Sequence, residues 1–255
     1  MEPYVMSLAG LDPTGGAGLL ADIKTFEAHR LNGLGVCTAL TAQTDDEFLG
    51  VEWIPPEKIL AQALPLLDKF PVRFCKVGIV AHPGILLEVL PALRNARPGI
   101  QFILDPVLKA SAGYVFHTAV FSQWEQVLDH IALLTPNYEE AIAMSGLPCG
   151  ESAARKMASR CAVLLKGGHR PDKPGWDSLF WGNELADFAP VATDVPAKHG
   201  SGCVLSAAIT ASLAKGLSLV DACKAGKDYT LRYLQSSEGL LGHHVFNNGS
   251  ALSGC

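Results

Sequence analysis

A short run of residues around Gly200 has the composition expected of an anion-binding loop. It reads His199-Gly200-Ser201-Gly202-Cys203 and leads into an apolar stretch with helical character, 204–213. Because glycine leaves the backbone uncrowded, successive N–H groups of this run can converge on one anion. A helix that starts here adds unpaired N–H groups and a partial positive charge. Such a loop suits phosphoryl transfer, although the pattern alone more often marks a glycine-rich turn before a packed helix.

Cys203 is the residue of this loop that could move a proton. A free thiol titrates near pH 8.5, and a helix N-terminus with nearby glycine N–H groups is expected to lower that pKa. Cys203 is therefore a candidate base for a substrate hydroxyl, a role that contributes about 10²–10⁴-fold to a rate. The alternative is a small buried thiol in the first turn of a helix.

Polar side chains stand at the ends of five predicted strands. They are Asp12 after strand 4–10, Gln43 near the end of strand 35–44, Asp105 near the end of strand 100–107, Asn137 at the end of strand 131–137 with Glu140 beyond it, and Lys166 at the end of strand 161–166. Since the carboxyl ends of parallel strands share one edge of a sheet, these groups are expected to border one crevice. Carboxylate and amide oxygens suit Mg²⁺, and the lysine suits a phosphate. The set favours metal-assisted phosphoryl transfer over hydrolysis or hydride transfer.

The order of elements predicts an α/β fold. Of the 255 residues, 49% are hydrophobic and 18% charged, which predicts a large buried core. Strands and helices alternate without a break in composition, so we expect one doubly wound domain over 1–255, with a mainly parallel central sheet and helices on both faces.

Four local expectations accompany this fold. The apolar strand 35–44 is predicted to be buried on both faces, and Gly182-Asn183 to turn a hairpin. Asp22 falls on the polar side of the first helix, 19–29, where a solvated charge is expected. The tail after residue 236 is expected to be poorly ordered, with His243 and His244 facing solvent.

Charge and cysteine usage limit the partners and the compartment. A net charge of −5 argues against a nucleic-acid surface, and no apolar run reaches the roughly 18 residues of a membrane span. The N-terminus lacks the pattern of a secretory signal. The seven cysteines are scattered without a C-x-x-C pair, which is typical of reduced thiols. These features predict a cytoplasmic protein.

Several motifs in order carry a resemblance to a known family. They are 9–18 (AGLDPTGGAG), 21–26 (ADIKTF), 38–43 (TALTAQ), 76–78 (KVG), 105–107 (DPV), 135–137 (TPN), 166–169 (KGGH) and 199–203 (HGSGC). Over roughly residues 4–215 the chain resembles the hydroxymethylpyrimidine/phosphomethylpyrimidine kinases of the ribokinase-like superfamily.

The resemblance implies an ATP- and Mg²⁺-dependent kinase of thiamine biosynthesis. Such enzymes phosphorylate 4-amino-5-hydroxymethyl-2-methylpyrimidine and then its monophosphate, and the family implies a homodimer. Carried over by position, the pyrimidine would be held by Gly10, Asp22 and Gln43, and the nucleotide by Asn137, Glu140 and Lys166. The metal would be held by Asp105 and Glu140. Cys203 would be the base, with Gly200, Ser201 and Gly202 as the anion cradle.

The chain also departs from the family pattern. Many ribokinase-like enzymes have an aspartate where this chain has Cys203, whereas the pyrimidine kinases have cysteine. Ser201 replaces the usual threonine. Ser111 stands where the family usually has a lysine, and Lys109 lies two residues earlier. This change puts the second phosphorylation in question. Two other functions stay open: a pyridoxal kinase, since both substrates are flat heterocycles with a hydroxymethyl group, and a catalytically silent pyrimidine-binding protein.

Overall fold

The computed structural model describes residues 2–109, 113–114, 116, 121–168, 170–171, 173–192 and 195–245. The strands in this part of the chain are β1 (Tyr4–Leu11), β2 (Asn32–Gln43), β3 (Phe48–Trp53), β4 (Phe74–Val77), β5 (Gln101–Leu104), β6 (Leu133–Leu134), β7 (Ala162–Leu165), β8 (Asp177–Trp181) and β9 (Glu184–Phe188). The helices are α1 (Gly18–Ala28), α2 (Pro56–Lys69), α3 (Pro83–Ala96), α4 (Phe121–Leu128), α5 (Tyr138–Ser145), α6 (Gly150–Met157), α7 (Ser201–Ala214) and α8 (Leu219–Leu234).

The described strands form one sheet in the order β3-β2-β1-β4-β5-β6-β7-β8-β9. Within this order all neighbouring strands from β2 to β7 pair in parallel. The pairs β3–β2, β7–β8 and β8–β9 are antiparallel. The prediction of a mainly parallel, doubly wound sheet is confirmed. The chain order reverses between β1 and β4, and in open sheets this switch point opens a crevice beyond the carboxyl ends of the strands.

Helices cover both faces of the sheet. The larger core lies between the sheet and α2 to α6, with Met6, Val77 and Leu104 contributing from the strands. On the other face α7 and α8 pack over Ile103 and Leu164, and α1 packs against both helices. Helix α7 is the central element of that face, because most of its side chains are buried. Its first turn is thereby fixed against the crevice.

Two elements near the sheet edge differ from the expectations. Strand β2 is not buried on both faces: Val36 and Ala39 are buried, but Leu40 is 42% exposed. The reason is β3, which the sequence analysis did not identify; it pairs with β2 in an antiparallel hairpin at the edge of the sheet. The hairpin turned by Gly182-Asn183 is confirmed as β8–β9.

The segment after α8 folds back onto the helices over 237–245. His243 is exposed as expected, but the expectation of a solvent-facing side chain is wrong for His244. Its Nδ1 lies 3.0 Å from the Tyr229 hydroxyl, and its ring packs on Tyr233 at a centroid distance of 4.9 Å. The aromatic surface of α8 provides a partner that the tail sequence alone does not show.

Candidate active site

A cavity of about 1040 Å³ opens at the carboxyl ends of the parallel strands. Most of the residues singled out from the sequence line it: Gly10, Asp12, Gln43, Asp105, Asn137, Glu140, Lys166, Gly200, Ser201, Gly202 and Cys203. The structure thus brings the strand-tip groups to one place, as parallel topology requires. The volume exceeds that of a typical single-ligand pocket, so it has room for a nucleotide and a second small molecule.

The run 199–203 forms the uncapped start of α7. Gly200 is the N-cap in a left-handed conformation, with φ +72°, and no side chain caps the helix. A Cβ at this position would overlap the backbone of Gly16 and Ala17, so glycine is required by both the dihedral angle and the contact. The first N–H groups of the helix are consequently available to an anion in the cavity.

Cys203 lies in the first turn of α7, half-buried at the cavity wall. Burial raises the pKa of its thiol to about 11, although the Lys76 ammonium and a hydrogen bond from the Gly18 backbone pull it down. The expectation of a lowered pKa is therefore wrong. The loss of hydration at this thiol outweighs the partial charge of the helix start.

The Lys166 ammonium lies next to Asp105 and Glu140, the two carboxylates that the family resemblance implies as metal ligands. Its Nζ lies 2.8 Å from Asp105 Oδ1 and 3.8 Å from Glu140 Oε2. Burial alone would raise the pKa of Asp105, but the Lys166 and Lys76 ammonium groups hold it below the ordinary value. The pKa of Glu140 is raised, because burial outweighs the more distant Lys166. Asp105 is therefore the more strongly ionised of the pair.

Asn137 and Glu140 form the capping box of α5. The Asn137 side chain accepts from the Glu140 N–H at 2.8 Å, and Glu140 Oε2 accepts from the Asn137 N–H at 2.7 Å. The Asn-x-x-Glu spacing thus has a structural use. Since Glu140 also lies 3.8 Å from Lys166 Nζ and lines the cavity, the capping box fixes one carboxylate at the wall.

Asp22 lies behind the cavity rather than on its wall. It is fully buried, not solvated, and its carboxylate contacts Lys76 Nζ at 2.8 and 2.9 Å and the Ser7 hydroxyl at 2.6 Å. Burial raises the pKa of Asp22, against the pull of Lys76. The expectation of a solvated charge is wrong, because α1 turns this position toward the sheet, where β4 supplies an ammonium group.

Gln43 and Gly10 lie at the switch-point end of the cavity. Gln43 Nε2 donates to Thr41 Oγ1 at 2.9 Å, and among the described residues no donor bonds to the amide oxygen of Gln43. Next to Gly10 the register of β1 against β2 shifts, and Ile79 occupies the space where a side chain would stand. The result is a flat wall with one amide, suited to the edge of a planar ring.

Lys109 is exposed and lines the mouth of the cavity, while Ser111 and His169 lie outside the described residues. The position of Lys109 is compatible with a phosphate at the mouth.

Lys76, Ser206 and Thr135 are polar groups around the site to which the sequence analysis gave no role. Lys76 lies fully buried in β4 next to Asp22; a charged residue within an apolar strand is the signal that could have identified it. Ser206 and Thr135 place hydroxyls 3.4 and 3.3 Å from the Asp105 carboxylate. Thr135 stands in the motif 135–137 and Ser206 in none, but each reaches Asp105 only through the packing of the fold.

The donor set fits Mg²⁺ that arrives with phosphates. Among the described residues no group of three or more His, Cys, Asp or Glu could enclose a metal ion. Asp105 and Glu140 nonetheless offer hard oxygens, and it is burial that raises the pKa of Glu140. Mg²⁺ is commonly held by one or two carboxylates together with substrate phosphates and water. The two residues fit that mode.

No helix among the described residues is both long and apolar enough to cross a membrane.

The family model for phosphomethylpyrimidine kinase matches residues 12–247. A hydroxymethylpyrimidine/phosphomethylpyrimidine kinase of Rhizobium meliloti is 34% identical over 94% of this chain and 93% of its own. A kinase of the same name from Aquifex aeolicus is 31% identical over 92% and 95%.

Solved structures agree with this assignment. The phosphomethylpyrimidine kinase of Clostridium difficile is 29% identical, with a TM-score of 0.76, over 90% of this chain and 98% of its own. An ADP complex of Bacillus subtilis pyridoxal kinase is 25% identical, with a TM-score of 0.82, over 97% and 98%. The ribokinase-like fold and the kinase activity expected from the sequence are confirmed. The family model covers nearly the whole chain, and both relatives match over more than nine-tenths of either sequence. This protein therefore belongs to the phosphomethylpyrimidine kinase family.

Proposed function

We propose that this protein transfers the γ-phosphoryl group of ATP to the hydroxymethyl group of 4-amino-5-hydroxymethyl-2-methylpyrimidine, and then phosphorylates the resulting monophosphate. The observation that carries the proposal is the uncapped start of α7, which borders the same cavity as the Lys166–Asp105 pair. The names of the relatives from Rhizobium meliloti and Aquifex aeolicus support the choice of substrate.

The pyrimidine would lie at the switch-point end of the cavity. The amide oxygen of Gln43 accepts a hydrogen bond from the exocyclic amino group, and the flat wall at Gly10 receives the ring. This orientation directs the hydroxymethyl group toward Cys203 and the start of α7. Asp22 supports this end from behind through Lys76, rather than by contact with the substrate.

Phosphoryl transfer would take place at the start of α7. Cys203, as the thiolate, accepts the proton of the substrate hydroxyl as the oxygen attacks the γ-phosphorus, and the bond between the γ-phosphorus and the bridging oxygen breaks to release ADP. The N–H groups of Ser201, Gly202 and Cys203 stabilise the charge on the transferred group. Lys166 neutralises phosphate oxygens on the nucleotide side. Asn137 keeps Glu140 in place through the capping box.

ATP is proposed as the co-substrate and Mg²⁺ as its metal. Asp105 and Glu140 would hold the metal, directly or through water. When bound, the metal neutralises phosphate charge and orients the phosphates for in-line displacement.

A coupled ADP-release assay on the purified protein tests the proposal. We expect turnover of the pyrimidine and of its monophosphate with ATP and Mg²⁺. Absence of turnover with both substrates would refute the assignment, and tight pyrimidine binding without turnover would favour a silent binding protein. Turnover of the first substrate alone would limit the proposal to one step. Where both substrates are turned over, a selective loss of the second activity in Lys109→Met would show that Lys109 serves the second step.

Pyridoxal is the second candidate substrate. The match to the Bacillus subtilis pyridoxal kinase structure favours it, since that likeness covers both chains almost completely. The ratio of kcat/KM for the pyrimidine and for pyridoxal decides between them, and a ratio above about 100 corresponds to nearly 3 kcal/mol of transition-state discrimination.

We also infer a homodimeric, cytoplasmic, single-domain protein. The edge hairpin β2–β3 exposes Leu40 and Leu49, at 42% and 66%, which supports self-association there. The cysteines in the described residues are free thiols, in keeping with a reducing compartment. One sheet runs through the described chain, which supports a single domain. Light scattering coupled to size-exclusion chromatography measures the oligomeric state.

A further inference from the structure

His199 immediately precedes the anion loop and is almost completely buried. Its Nε2 lies 2.9 Å from Asp12 Oδ2, while its Nδ1 is buried without a hydrogen-bond partner among the described residues. Among the described residues the Asp12 carboxylate is the only hydrogen-bond partner of the ring, and because a carboxylate accepts, Nε2 is the nitrogen that donates an N–H to Asp12. An unsatisfied buried nitrogen costs free energy, so stability alone is a poor explanation for a histidine at this position.

Asp12 belongs to the loop after β1, which it also organises. Its carboxylate accepts from the N–H of Thr14 and from the N–H of Ala17, each at 2.9 Å. The hydrogen bond to His199 therefore joins two loops that are far apart in sequence. The same two loops touch again at Gly200, which leaves no room for a Cβ against Gly16 and Ala17.

The backbone of His199 is fixed from a second direction. Its N–H donates to the Leu240 carbonyl at 2.9 Å, and its carbonyl accepts from the Tyr233 hydroxyl at 3.2 Å. The same hydroxyl also lies 3.4 Å from the Gly16 carbonyl. Side chain, N–H and carbonyl of this one residue are thus all engaged, directly before the peptide that enters the anion loop.

We propose that His199 is the positioning residue of the anion loop: through Asp12 it sets the direction in which the first N–H groups of α7 face the transferred phosphoryl group. Helix α7 has no side-chain cap that could do so. A displacement of about 1 Å at such a site costs roughly 100-fold in rate. His199 acts through Gly200 to Cys203 rather than by a bond of its own to the transferred phosphoryl group. The inference rests on the proposed kinase activity and names a determinant of it.

The test compares His199→Leu with His199→Gln and with a control, His29→Leu. Gln keeps an amide donor at about the reach of Nε2, whereas Leu removes it. His29 is equally buried, at 4% exposure, and its Nδ1 lies 2.8 Å from the Thr25 carbonyl, but it does not line the cavity. The readouts are kcat and KM for ATP, the melting temperature, and the Kd of ADP with and without aluminium fluoride, a mimic of the transferred phosphoryl group.

For His199→Leu we expect kcat to fall about 100-fold and the affinity gained from aluminium fluoride to fall by a similar factor, with the Kd of ADP alone unchanged within about twofold. His199→Gln should recover most of both losses. His29→Leu should lower the melting temperature but change kcat by less than about threefold.

The inference is overturned if His199→Leu keeps kcat within about threefold, if it weakens ADP alone as much as ADP with fluoride, or if His29→Leu reproduces its kinetics. The fluoride measurement needs no acceptor substrate. If the wild-type protein phosphorylates neither pyrimidine but His199→Leu still loses only the fluoride-dependent affinity, the proposed substrate fails and the positioning role stands.

Discussion

Cys203 shows how opposing influences act on one side chain. The start of α7 and Lys76 favour its thiolate, while burial favours the thiol and raises the pKa to about 11. To act as a base, Cys203 has to accept the proton of the bound substrate hydroxyl, and its thiolate can do so whereas its thiol cannot. A base with this pKa is largely protonated at neutral pH, so the fraction of active enzyme rises about tenfold per pH unit up to that pKa.

We predict that Cys203→Ala lowers kcat by about 10²–10⁴-fold, since the hydroxyl loses its base, while the Kd of ADP stays unchanged. In the wild-type protein kcat/KM should rise with pH through 9 without a plateau. A coupled assay from pH 6 to 9.5 measures both.

Cys149→Ala is the control, because Cys149 does not line the cavity. A Cys203→Ala variant within about threefold of wild type would remove the base role from this residue, and a plateau beginning near pH 7 would contradict the raised pKa.

At the scale of elements, the catalytic geometry depends on where α7 begins. The helix is held by packing along most of its length, and its first residue lies directly against the loop after β1. Gly200 and Gly216 stand before and after this helix, both in the left-handed region, with φ of +72° and +88°. Only Gly200 is crowded, because no atom lies within 4 Å of a Cβ built at Gly216.

We predict that Gly216→Ala lowers the melting temperature by about 2–4 °C, which corresponds to roughly 1 kcal/mol of dihedral strain, and leaves kcat unchanged. Gly200→Ala carries the same strain together with a backbone overlap that displaces the anion loop. It should lose more stability and at least about 100-fold in kcat.

Thermal unfolding and steady-state kinetics of the two variants, measured side by side, test this comparison. Equal effects on kcat would show that the contact with Gly16 is not what fixes the loop.

At the scale of the whole molecule, the stability depends on keeping His244 neutral. Burial, together with the nearby Lys24 and His29, lowers the pKa of His244 to about 4 from an ordinary 6.5. Between these two values the unfolded chain binds a proton that the folded chain does not, so the free energy of unfolding falls as the pH falls. Above about pH 6.5 both states are neutral and the effect vanishes.

We predict that the free energy of unfolding of the wild-type protein decreases between pH 6.5 and pH 4, and that His244→Asn has a shallower slope over this range. Urea unfolding at several pH values measures it. Some slope should remain, because burial also lowers the pKa of His29.

His243→Asn provides the control, since His243 is exposed and its charge is the smallest of the influences that lower the pKa of His244. Parallel curves for the wild-type protein and His244→Asn would mean that His244 does not titrate differently in the two states.

The site was largely predictable where a residue's role follows from its position at a strand end. Asp105 and Lys166 follow apolar strands, and in a parallel sheet such ends must meet. Asp22 was not predictable in this way. Its position in the helical pattern predicts an exposed polar residue. In the structure it is buried beside Lys76, an ion-pair partner from a strand 54 positions later in the chain. The edge hairpin β2–β3 was also missed, since an apolar run does not distinguish a central strand from one near an edge.

The sequence by itself determined the fold class, the family, and most of the side chains that meet at the cavity, because these follow from local periodicity, turn residues and ordered motifs. Only the tertiary structure decided the state of those side chains. The pKa of Cys203, the pairing of Asp22 with Lys76 and the anchoring of His199 by Asp12 depend on burial and on partners distant in the chain. Desolvation and close charge pairs arise from packing in three dimensions, and no spacing along the chain specifies them.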